Sequence, residues 1–192
     1  MSIYDRYINN NILLSCRRPQ PYKECSVVTI GEIIEILIKK YISNTDIIKL
    51  LKLDHNKIIG GQYGTDTIIS GITILSDNAI KSHILHVQDL ESDWNMIKQC
   101  IKNGVLYYHS PGHHSLCGGF IEEPLIDKNK IWSHENIDKN NYNNKRCNLL
   151  QIEHLIKKQE HIDQGMIISQ NFRDIIKILS KHSNTNLVYF YC

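Results

Sequence analysis

From Cys25 onward, apolar residues recur three and four positions apart: Val27, Ile30, Ile34, Leu37 and Tyr41, with Val28, Ile33 and Ile38 widening the stripe. That period predicts a helix, and a stripe so wide predicts one buried near the centre of the fold. Asn44 or Thr45 then caps a short helix carrying Ile47, Ile48, Leu50 and Leu51. Gly60, Gly61 and Gly64 mark a loop, after which Thr65 caps a helix with Ile68, Ile69, Ile72 and Leu75 inward. Ser82 to Val87 reads as a strand. Asp89 caps a further helix whose Leu90, Trp94, Ile97 and Ile101 share one face, and Asn103-Gly104 stops it.

The rhythm changes after Gly104. The stretch GVLYYHSPGHHSLCGGFI, Gly104 to Ile121, reads as two strands folded about Ser110-Pro111-Gly112, with His113 and His114 opening the second. Asn129 to Ser133 adds a strand, and Ile137 to Asn148 is a polar, asparagine-rich loop. Leu149 to Ile162 reads as a helix, Asn171 to Ser180 as another, and Leu187 to Tyr191 as a closing strand of strong β-formers. Helices come first and strands later, so the expected fold class is α+β: N-terminal helices packed on a mainly antiparallel sheet, in a single domain over 1–192.

Composition narrows the function more than the fold. With 22 basic and 20 acidic side chains the formal charge is only +2, which supplies no general field for nucleic acid. Nucleic acid is therefore not an expected partner. No basic leader with a long apolar core opens the chain, and its best apolar run, Val27 to Ile38, carries Glu32 and Glu35, so no membrane association is expected. The six cysteines are widely spaced and contain no CxxC pair, which fits reduced thiols in a cytoplasmic protein rather than a disulfide framework or a zinc ribbon. His154 and His161 lie seven apart near Glu153, a spacing read as a solvated helix face rather than a metal site, and no cofactor motif stands out. The GGQYG segment lacks the lysine of a phosphate-binding loop.

Two features carry chemistry. Cys25 opens a helix, where the dipole favours a thiolate, and Lys23 adds positive charge. His113 opens a strand that fixes its ring direction, so it is the candidate general base, with His114 as the alternative. Gln20 is the candidate oxyanion donor, beside the Cys25 backbone N–H. Asn136 or Asp138 is the candidate group that orients the histidine.

A glutamine shortly before a cysteine that opens a helix, a Gly-Thr pair before another helix, then Gly-His and a Gly-aromatic pair ending the strand make the chain resemble the papain-like cysteine peptidases. Among these it is most similar to the bacteriocin-leader-processing peptidases. The matching residues are Gln20, Cys25, Gly64-Thr65, Gly112-His113 and Gly119-Phe120. Ser26 stands where that family has glycine, and a segment through Glu122, Glu123 and Pro124 replaces its Asp-Pro or Asn-Pro pair. The resemblance implies a thiol hydrolase or acyl transferase acting on a peptide or protein substrate through a Cys-His dyad, or a papain-like protein that only binds such a chain. The second half also resembles the HNH homing-type nucleases at His113, Phe120-Ile121, Pro124, Asn136-Ile137-Asp138, Asn143-Asn144, Asn148-Leu149, His154 and Asp163-Gln164-Gly165. That resemblance implies a metal-dependent nuclease. Asn136 stands where its base belongs, however, and Gly118-Gly119 oppose the helix it needs.

Overall fold

The computed structural model describes residues 5–9, 12, 18, 24–110, 112–124, 145–153 and 166–192. Its strands are β1 (Asp5–Ile8), β2 (Lys81–Leu85), β3 (Val105–Ser110), β4 (His113–Pro124), β5 (Lys145–Glu153), β6 (Met166–Asn171) and β7 (Asn186–Tyr191). They form one sheet in the order β2-β7-β3-β4-β5-β6, with antiparallel pairing throughout. β1 pairs with β4 beyond the end of β3, through Asp5↔Glu122 to Ile8↔Gly119. A Cβ at Gly119 would collide with the Tyr7 carbonyl, so only glycine allows β1 to close on β4 there.

Helices cover both faces of this sheet. α1 (Cys25–Ile38), α2 (Asn44–Leu50), α3 (His55–Ile59) and α4 (Thr65–Leu75) share one apolar cluster with Val105, Tyr107, Leu116, Val188 and Phe190 of the sheet. α5 (Leu90–Asn103) and α6 (Phe172–Lys181) share the other with Leu106, Tyr108, Cys117, Phe120, Leu149 and Leu187. The α+β expectation is met, with helices on both faces of a mainly antiparallel sheet. The alternation along β3 divides its residues between the two clusters, as a period of two requires.

α1 is the centre of the first layer. Val27, Val28, Ile30, Ile33 and Ile34 are all 0% exposed, and burying each such side chain contributes about 1.5–3 kcal/mol. Gly31 faces the Arg18 guanidinium, where a Cβ would collide. Arg18 in turn donates to the Ile42 carbonyl at 2.6 Å and pairs with Glu35 at 3.3 Å, tying the chain before α1 to the last turn of the helix and the segment that follows it.

One expectation fails, and one resemblance loses its support. Lys145 to Glu153, read as the end of a loop and the start of a helix, belongs to β5, which pairs with β4 on one side and β6 on the other. His113 to Pro124 is a single strand, so the helix that the nuclease resemblance needs after His113 does not form. The strand expected at 129–133 lies outside the described residues, as does the paired histidine at His154 and His161. No helix among the described residues is long and apolar enough to cross a membrane.

On the far face, Glu122 of β4 joins three elements. It accepts from Lys98 at 2.7 Å, from Lys145 at 2.8 Å and from the Trp94 indole at 3.0 Å. Burial works to raise its pKa, but these bonds prevail and hold it at about 2. A carboxylate with a depressed folded pKa gives stability that is complete above its unfolded value and lost as pH falls toward the folded one. Glu122→Gln should therefore lower unfolding free energy at pH 7 by about 1–3 kcal/mol, the cost of stranding such partners. The gap between variant and wild type should close as pH drops from about 4.5 to 2, as read by urea denaturation.

Candidate active site

The N-termini of α1 and α4 meet the turn end of the β3–β4 hairpin. Elsewhere the described helices are capped by side chains: Ser43 on α2, Asp54 on α3, Asp89 on α5 and Asn171 on α6. α1, entered from Glu24, and α4, entered from Gly64, have no side-chain cap. Their first backbone N–H groups are thus left to other partners, and a thiolate or an oxyanion is a suitable one.

Cys25, half-buried, is the first residue of α1. Burial raises its thiol pKa, while the backbone amides of His114, Ser26 and Cys25 itself work in the opposite direction. The thiol therefore lies against the peptide that joins His113 to His114. The Ser110 hydroxyl donates to the His113 carbonyl at 3.4 Å, and Gly112, at φ +77°, makes the turn that starts the strand.

The two histidines have different surroundings. Pairing of His109 with His114 and of Tyr107 with Leu116 puts His114 on the α1 face of the sheet. Its ring is 3% exposed, stacks on His109 at 4.5 Å and receives the Tyr107 hydroxyl at Nδ1 at 2.5 Å. The Tyr63 backbone carbonyl bonds to the same ring. A carbonyl only accepts, so Nε2 carries the hydrogen and Nδ1 accepts from Tyr107. Both nitrogens are thereby engaged. His113 is one residue out of phase and half-buried.

Burial first, then the charges of His109 and His113, push the His114 pKa down to about 3. Burial first, then His113, lowers that of His109 as well. His109 and His114 are thus both biased toward the neutral form. His109 Nδ1 lies 3.1 Å from the Thr65 hydroxyl, which also accepts from the Asn186 amide at 3.2 Å. Beside His109 and Thr65 a cleft of about 570 Å³ opens between residues 61–66, Gly112 and the turn 181–186.

Of the residues expected from the sequence, Cys25 lies against the His114 backbone N–H, and His113, next along the strand, is directed to the opposite face from His114. Gln20, Asn136 and Asp138 lie outside the described residues. Among the described residues no group of three or more His, Cys, Asp or Glu side chains could hold a metal ion. Tyr107, His109, Tyr63 and Asn186 were not anticipated. A two-residue turn at 111–112 would have paired Ser110 with His113 and His109 with His114, so part of the cluster was implicit in the hairpin. No family model, curated protein or solved structure matches the chain.

A histidine whose folded pKa is depressed gives stability that is complete above its unfolded value, about 6.5, and is lost as pH falls toward the folded value. His114→Asn keeps an acceptor for Tyr107 but removes the ionisable ring. Between pH 6.5 and 4 its unfolding free energy should fall less steeply than that of wild type, by about 1.4 kcal/mol per pH unit, in a urea series at fixed ionic strength.

Proposed function

We propose that the protein is a papain-like thiol enzyme that transfers the acyl group of a peptide or amide, usually to water. The observation that carries this reading is the contact of the Cys25 thiol, at an uncapped helix N-terminus, with the His113–His114 peptide. The strand that carries both candidate histidines then runs past the proposed nucleophile, although the two lie far apart in sequence.

In this reading His113 is the general base and His114 is not, because both His114 ring nitrogens are engaged and its pKa is about 3. Burial keeps the Cys25 thiol protonated at rest, so attack and proton transfer are concerted. Sγ attacks the carbonyl carbon as its proton passes to His113, and the carbonyl oxygen becomes an oxyanion. The Cys25 N–H faces that charge, with the Gln20 amide as the second proposed donor. Collapse expels the amine, which leaves with the proton from His113, and a thioester remains. Water, deprotonated by His113, then attacks the thioester carbonyl, and the C–S bond breaks to release the acid as His113 returns the proton to Sγ. Asn136 or Asp138 is the proposed orienting group.

Iodoacetamide alkylation, with the site located by mass spectrometry, tests the pairing. Cys25 in the wild type should react at pH 7 about tenfold or more faster than Cys25 in His113→Ala, in keeping with the lower range of general-base effects. Equal rates would leave Cys25 a packing residue and the protein a binder at most.

A further inference from the structure

A buried polar cluster lies beneath the proposed thiol site. Tyr107 is 0% exposed, in the core of the sheet, and its hydroxyl reaches His114 Nδ1 at 2.5 Å. Its ring stacks on that of His114 at 5.9 Å with 16° between planes, and on His109 at 6.5 Å. His109 closes the other side of His114 at 4.5 Å with 6° between planes. Thr65, at the start of α4, bonds His109, and Asn186 of β7 donates to Thr65. Every ring in the cluster is thus fixed by a neighbour from a different element.

Packing alone does not require a histidine at this point. The adjacent inward residues Leu116 and Val188 are apolar and 0% exposed. An imidazole here must keep its hydrogen bonds or lose free energy, and that requirement fixes its rotamer and tautomer. Its backbone is the strand segment whose N–H faces the Cys25 thiol.

We infer that Tyr107 and His114 are positioning residues for the thiol: the Tyr107 hydroxyl locks the His114 ring, and the locked ring holds the His114 N–H against Cys25 Sγ. The pair acts on the nucleophile through one peptide and exchanges no proton with it. The amide so held favours the thiolate as it forms. The titratable groups on the sheet side of this contact are Tyr107, which is coupled to Cys25, and His114, with His109 stacked behind them. The inference rests on the thiol-enzyme reading, and its test is separable from that of the reading.

The test follows the pH dependence of Cys25 alkylation by iodoacetamide in full-length protein, with thermal unfolding measured in parallel. Tyr107→Phe removes only the hydroxyl, and His114→Leu removes the ring acceptor. Each should slow alkylation at pH 7 about fivefold, the equivalent of one hydrogen bond, and move the midpoint of the rate profile upward. The double variant should be no slower than either single one, because both break the same lock. His114→Asn, whose side-chain oxygen replaces Nδ1 as acceptor, should recover most of the rate; it carries the test if Tyr107→Phe fails to fold. Lower thermal stability with an unshifted profile would reduce the pair to packing and overturn the inference. If wild type and His113→Ala are alkylated alike, the thiol-enzyme reading fails instead.

Discussion

The burial of α1 on all sides is the constraint from which the rest of the site follows. A helix with one apolar stripe can rotate or slide on a sheet at modest cost, whereas α1 has apolar contacts around most of its circumference. α2 and α4 pack against it from one direction and β3 and β4 from the other. Arg18 fits against Gly31, a position where any side chain would displace it, and clamps the helix to the chain on either side. The first residue of α1 therefore has a fixed place in the molecule. That residue is Cys25.

The second consequence is electrostatic. Three imidazoles lie together at the end of the β3–β4 hairpin, and they cannot all carry charge in a partly buried space. Burial and mutual repulsion drive His114 and His109 toward the neutral form. In the proposed chemistry this bias matters more than the value for any one ring. A base must accept a proton and give it back, and a ring held neutral by two hydrogen bonds can do neither. The same bonds make a neutral ring an effective spacer.

Much of this was legible along the chain, for identifiable reasons. The α1 stripe, the Trp94-Ile97-Ile101 face of α5 between Asp89 and Gly104, and the hairpin about Gly112 each combine a clear period with a chemical stop, and each appears where it was read. β5 was misread because Leu149 and Leu150 are buried on opposite faces of a sheet covered on both sides. A strand of that kind loses its alternation and resembles a short stretch of buried helix. The closing strand was recognised as a strand, but its place between β2 and β3 depends on pairings with distant residues that no local pattern encodes.

Cys25, His113 and His114 could be singled out from residue type and neighbourhood, because a thiol at a helix start and a histidine at a strand start are local statements. The sequence by itself determined those, the helices that carry the core and the turn that introduces the histidines. Only the tertiary structure decided which face of the sheet α1 covers, and with it which histidine is enclosed beneath the helix and which is directed to the other face. Adjacent residues on a strand point to opposite faces, so this depends on hairpin register and on which layer of helices lies above it. Tyr107, Thr65 and Asn186 join the cluster for the same reason: three separate elements converge on a ring that had to be buried first.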